Sequence, residues 1–231
     1  MKSWKTKSGY EIKRLLSGRS NVFLVIADDK SILVDTGPSI YWRKLDKRIE
    51  QLGIRRIDML VLTHAHYDHA SNSRRVKEKY GASVYIQQQE VENLLNGKNP
   101  EIHGTNVLTM LMTSLLGKTF LKMKSYIGCS TDVIVHDRFD FEEVGVHAYL
   151  IHTPGHSKGS ISLIVDDEIA IVGDCMFGVN KSSVYPPFAD NSHELILSWG
   201  KLIETGCTMF LPSHGKEKTR GQLIEDFNRR K

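Results

Sequence analysis

The chain has 231 residues, 40% of them hydrophobic and 25% charged, with a formal net charge of +4 at neutral pH. This is the composition of an ordinary globular protein long enough for one full core, and it excludes disordered and collagen-like chains. No apolar run approaches the roughly 18 residues that a membrane span needs, and no apolar leader follows the charged N-terminus.

The three cysteines, Cys129, Cys175 and Cys207, are odd in number and show no paired spacing, so reduced thiols and a cytoplasmic protein are expected, with no membrane partner. The basic clusters (Arg55-Arg56, residues 74–79 and residues 229–231) are short. They read as solvated surface, and no nucleic-acid partner is expected.

Residues 10–16, 22–27 and 32–35 read as a β meander, with Asp28-Asp29-Lys30 as a hairpin turn. Residues 40–52 carry a helical pattern, and Gly53 stands where a C-terminal cap belongs. A strand is expected at 57–63, a helix at 68–80 closed by Gly81, and another strand at 82–87.

Residues 88–125 differ and read as a helical insertion: a helix, a loop at 96–100, then an apolar, methionine-bearing stretch at 107–123. The β pattern returns over 132–172, with turn signals at 142–145 and 166–167. A helix at 192–205 with Ser192 as N-cap and a last helix at 220–230 complete a chain that reads as a single domain over 1–231. The likeness of Ile32-Leu33-Val34-Asp35-Thr36-Gly37 to Ile171-Val172-Gly173-Asp174 points to two similar β-rich halves.

The chemistry is densest in Thr63-His64-Ala65-His66-Tyr67-Asp68-His69, directly after the apolar run Met59-Leu60-Val61-Leu62. Imidazole and carboxylate are ligands that borderline divalent metals such as zinc prefer. Four of them do not converge comfortably on one ion from so short a segment. The spacing therefore reads as two metals, His64 and His66 facing one, Asp68 and His69 facing the other.

Each ion then needs more ligands, and later apolar runs end in suitable residues. Residues 148–155 lead to His156, 169–173 to Asp174 and 207–213 to His214, while 31–34 lead in the same way to Asp35. Strands that deliver polar groups at a common end build a site at a sheet edge. His103, His136, His147 and His193 read as core or surface residues, His152 as a core residue or one supporting a ligand rather than a ligand itself, and Cys175 as a packed small residue.

Together and in this order, these motifs resemble the metallo-β-lactamase superfamily, in the hydrolase branch that includes glyoxalase II and the lactonases. The resemblance covers most of the chain: the strand pair at 21–37, the His-x-His-x-Asp-His motif, Thr153-Pro154-Gly155-His156-Ser157, Gly173-Asp174 and Pro212-Ser213-His214-Gly215. It implies an α/β fold, a four-layer αβ/βα sandwich. It also implies that His64, His66 and His156 bind a first metal, that Asp68, His69 and His214 bind a second, that Asp174 bridges them, and that Asp35 orients a ligand histidine.

The cofactors implied are two divalent metal ions, zinc first, with iron or manganese as alternatives. Such a pair lowers the pKa of a shared water and polarises the bond it attacks. The expected function is thus hydrolysis of a small-molecule substrate, an ester, thioester or lactone, with Asp68 orienting the nucleophile and accepting its proton. Tyr67 and Tyr185 are candidate oxyanion or leaving-group contacts. Met112, with Leu111, Leu115, Leu116 and Phe120, is expected to cover an apolar substrate pocket.

Within the superfamily, Asp174 stands where the commonest zinc β-lactamase subclass places cysteine. Glyoxalase II carries an additional C-terminal helical region, and the flavodiiron branch has glutamate for one motif histidine. The alternative functions are a mononuclear iron, persulfide dioxygenase-like oxidoreductase and a phosphodiesterase of the same superfamily.

Overall fold

The structure is a computed structural model that describes residues 1–111, 113 and 125–231. Among the described residues, one sheet has seven strands in chain order: β1 (Ser3–Lys5), β2 (Glu11–Leu16), β3 (Val22–Ala27), β4 (Lys30–Val34), β5 (Met59–Val61), β6 (Ser83–Gln87) and β7 (Val133–Val135). Its first four strands are antiparallel, and β4 to β7 run parallel.

The second sheet contains β8 (Arg138–Asp140), β9 (Ala148–His152), β10 (Ile161–Val165), β11 (Ile169–Gly173), β12 (Met209–Pro212) and β13 (Lys218–Thr219), in the order β13-β12-β11-β10-β9-β8. Among its described pairs, only β11–β12 is parallel. Helices α1 (Trp42–Gln51), α2 (Tyr67–Ala70), α3 (Ser73–Tyr80) and α4 (Val91–Asn96) follow strands of the first sheet. Helices α5 (Ser192–Glu204) and α6 (Arg220–Arg230) flank β12 and β13 of the second. No helix among the described residues is long and apolar enough to cross a membrane.

Side-chain alternation sorts the residues into layers. In β3, Phe23 and Val25 point into a core shared with Leu163, Ile171 and Leu211 of the second sheet. Leu24, between them, points the other way, into a cluster with Leu45, Ile49, Val76 and Leu94 from the helices. In β11, Ile169 and Ile171 face the shared core, while Ala170 and Val172 pack with Leu195, Trp199 and Leu223. Strands buried on both faces read as near-continuous apolar runs, which is why β3 and β11 show no polar alternation and β10 has only the buried Ser162 among apolar residues. The four layers of the αβ/βα sandwich follow directly.

Several local expectations need correction. The strand expected at 57–63 pairs as β5 only over Met59–Val61. The helix expected at 68–80 is two helices, broken at Ser71-Asn72. There the Asn72 side chain donates to the carbonyls of Thr36, Gly37 and Pro38 at 3.0–3.1 Å. Tying the chain down after β4 outweighs continuing the helix.

The N-cap of α5 is Asn191 rather than Ser192, its side chain accepting from the N–H groups of His193 and Glu194. Two further features are absent from the sequence reading: the edge strand β1, and a capping box between Thr219 and Gln222 that starts α6. Gly81 closes α3 in the left-handed conformation, as its position suggests.

Candidate metal centre

The site lies on the seam where both sheets end. After β4 the chain turns at Asp35, whose φ of +61° is a conformation that aspartate tolerates better than most residues. Asp35 is buried and accepts from the backbone N–H of Thr63 at 2.9 Å, from Thr63 Oγ1, from His69 Nδ1 at 2.8 Å and from Ser213 Oγ at 3.1 Å. One carboxylate thus fixes the start of the histidine motif, the ring of His69 and the residue before His214. Thr36 adds its N–H and hydroxyl to the His69 carbonyl, both at 2.7 Å.

His64, His66, His69, His156 and Asp174 are buried, while Asp68 and His214 are partly open to solvent. They form three overlapping groups: His64, His66 and His156; His64, His69 and Asp174; and Asp68, His69 and His214. Within each group the ligand atoms lie within 4.8 Å of one another. His156 Nε2 faces His66 Nδ1 at 3.0 Å, near the roughly 3.3 Å that separates two nitrogens on a tetrahedral zinc ion.

Asp174 touches all sides. Its Oδ2 is 3.2 Å from His214 Nε2 and 3.6 Å from His156 Nε2, and its Oδ1 is 3.6 Å from His69 Nε2. The outer nitrogens are held as ligand histidines usually are: His64 Nδ1 by Thr63 Oγ1 at 3.0 Å and His156 Nδ1 by the Phe188 carbonyl at 2.9 Å. The His214 ring stacks on Phe177 at 4.6 Å.

Three atoms at the centre, Nε2 of His64, Nε2 of His69 and Oδ1 of Asp174, are buried without a hydrogen-bond partner. Native interiors rarely leave such atoms unmatched, and three converging ones fit a bound cation. The donor set of imidazoles and carboxylates suits borderline divalent ions, and its convergence from separate loops is what a prepared ligand cage requires.

Electrostatics divide the histidines. Burial, and then the neighbouring imidazoles, hold His64 and His66 well below the usual histidine pKa, so their lone pairs are free. For His69, burial opposes the charge, but Asp174 and Asp35 outweigh it and hold its pKa well above the usual value. His214 is raised in the same way, burial being overcome mainly by Asp174. Burial would raise Asp174, yet His214, His69 and His156 keep it well below the usual carboxylate range. A cation bound at these two rings would compete with their protons.

The other expected residues fall as follows. Tyr67 opens α2 beside the motif, and its N–H donates to Asn99 Oδ1 at 2.7 Å. Tyr185 packs against Trp199, with the Arg230 guanidinium 3.8 Å from its ring centroid and its hydroxyl 2.8 Å from Ser192 Oγ. Met112, Leu115, Leu116 and Phe120 lie outside the described residues, and Leu111 is exposed.

Cys175 is fully buried in the outer cluster, where burial pushes its thiol up to about 12. His152 Nε2 meets the Lys158 carbonyl at 2.8 Å, and His103 and His147 meet Asp190 and Asp166. Glu90, Asn72, Ser213 and Phe188 also support the site. No local motif marks them, because their role comes from what the fold brings to them.

A four-layer αβ/βα sandwich with a histidine and aspartate centre at the seam of its two sheets is the arrangement of a metal-dependent enzyme. The chain belongs to the metallo-beta-lactamase superfamily, whose sequence model matches residues 17–214. It is 32% identical to a probable metallo-hydrolase of Methanocaldococcus jannaschii over 68% of each chain. It is 25% identical to the hydroxyacylglutathione hydrolase GloC of Haemophilus influenzae over 92% of this chain and 93% of that protein. The fold matches an archaeal metallo-beta-lactamase superfamily protein from Sulfolobus tokodaii with a TM-score of 0.67 and 20% identity, covering 94% of this chain and 85% of that one.

Proposed function

We propose that the protein is a dinuclear metal-dependent hydrolase of a small thioester, ester or lactone. The observation that carries this reading is the position of Asp174, which lies within 3.6 Å of ligand nitrogens from both groups, His156 of the one and His69 and His214 of the other. A carboxylate so placed can serve two ion positions, one with His64, His66 and His156, the other with Asp68, His69 and His214. Two divalent ions, zinc first, would supply an activated water at neutral pH and an electrophile that polarises the scissile carbonyl.

The chain's own residues do the rest. Asp35 fixes His69 by accepting from Nδ1, which leaves Nε2 turned to the centre. Asp68 is the more open of the two carboxylates in the ligand set, 28% exposed against 5% for Asp174. Its side chain is thus the one that an incoming water can reach, where it would orient that water and accept its proton. The similarity to a hydroxyacylglutathione hydrolase over nearly the full length of both chains favours thioesters among the substrates.

Metal quantification on the purified protein, coupled to a panel of thioesters, esters, lactones and phosphodiesters, tests this reading. About two zinc ions per chain with thioester or ester turnover is expected. One iron per chain with oxygen consumed on a persulfide would overturn it, as would turnover of phosphodiesters alone.

A further inference from the structure

Glu90 belongs to none of the motifs that mark the site. It ends the short helical turn Gln88–Glu90 that follows β6, and it is 2% exposed. Both of its oxygens are engaged. Oε2 accepts from the N–H of Ala65 at 3.1 Å, between His64 and His66. Oε1 accepts from Ser157 Oγ at 2.6 Å and from the N–H of Gly159 at 3.3 Å, in the loop that begins at His156.

The three histidines of one ligand group therefore sit on two chain segments, and both segments rest on a single buried carboxylate. The other ligand group shares the first of these segments through Asp68 and His69 but has ties of its own. His69 and the residue beside His214 are tied to Asp35, and the loop of His214 is tied by a bridge between Gly178 and Gly215.

We propose that Glu90 is a positioning residue for the ion held by His64, His66 and His156, setting the separation of the two segments that carry them. The proposal rests on the reading of two ion positions. A carboxylate suits the task because it offers acceptors only, and all three of its partners donate. Glutamine would turn an N–H₂ group toward at least one backbone N–H. Gly159 completes the fit, since a Cβ there would stand 2.5 Å from Glu90 Cγ and 3.2 Å from its backbone nitrogen. Groups that hold metal ligands directly are typically worth about 10–100-fold in metal affinity, and Glu90, which holds the residues next to the ligands, is expected within that range.

The test is a zinc-binding titration against a chromophoric chelator on the full chain, for wild type, E90Q, E90A, G159A, H156A and H214A. H156A and H214A show which binding step belongs to which position. In E90Q, E90A and G159A the step lost in H156A weakens about 10–100-fold, while the step lost in H214A keeps its affinity. Thermal melts of the metal-free variants report folding, and if E90A does not fold, the isosteric E90Q and G159A still decide. Both steps unchanged, or both weakened alike, overturns the proposal. A wild-type chain that binds one ion overturns the two-position reading instead, and Glu90 then stands only if E90Q weakens that ion as H156A does.

Discussion

His69 Nδ1 lies 2.8 Å from Asp35 Oδ2, both side chains fully buried, while Nε2 of the same ring turns toward Asp174. The hydrogen bond selects the tautomer and aims the free nitrogen, so Asp35 would act on an ion bound there without touching it. Replacing Asp35 by asparagine should lower the affinity for the ion bound by His69 about 10–100-fold with the fold kept. Alanine should in addition cost about 1–3 kcal/mol of stability by leaving buried donors of Thr63, His69 and Ser213 unmatched. Chelator competition and urea unfolding separate the two effects.

Asp68 offers a different contrast. It contacts His69 and His214 only at 3.7–3.9 Å and is partly exposed. Asp68→Asn should keep most of the bound metal yet reduce kcat by about 10²–10⁴-fold, the usual range for a lost proton acceptor. Metal content and steady-state rates on one preparation check this. Activity that merely follows metal content would show that Asp68 is a ligand and nothing more.

The pH dependence of the metal-free protein should have a maximum near neutrality. His64 and His66 have lowered pKa values, so below about pH 6.5 the unfolded chain takes up protons that the native one refuses, and stability falls. His69 and His214 are raised, so their stabilising contribution is complete below that pH and is lost as pH rises through their folded values. Asp174 contributes only a further loss below its unfolded value of 3.8. Metal holds the imidazoles deprotonated, so the difference in Tm between loaded and metal-free protein should widen above about pH 6.5. Melting curves across about pH 5–9, with and without chelator, measure it.

The loop of His214 is set by glycine against glycine. Gly178 donates to the His214 carbonyl at 2.7 Å and accepts from Lys216 N–H at 3.0 Å. A Cβ on Gly178 would collide with the backbone of Lys216. Gly178→Ala should therefore shift this loop, with a loss of about 1–3 kcal/mol typical of overpacking and weaker metal binding at the position that His214 serves. Urea unfolding of the metal-free protein and the zinc titration read the two consequences.

The residues whose chemistry is unusual were the legible ones. His64, His66, Asp68 and His69 crowd one short segment, and His156, Asp174 and His214 each end an apolar run. The structure brings all seven to one seam. Glu90 was hidden because a glutamate after Gln87-Gln88-Gln89 reads as a solvated helix start, and only the fold places Ala65, Ser157 and Gly159 around it.

The break at Asn72 was illegible for the same reason. Its side chain is captured by carbonyls from residues 36–38, far away in sequence. Asn191 displaced Ser192 as a cap because two adjacent good capping residues cannot be ranked without the backbone path.

His64, His66, Asp68 and His69 follow a strand of the first sheet, whereas His156, Asp174 and His214 follow strands of the second. Neither sheet carries either proposed ligand set alone, so ligation would act as a rivet across the sandwich. Its strength enters the cohesion of the two sheets by mass action. Metal supply in the cell would then govern how long the folded chain lasts as well as whether it turns over substrate.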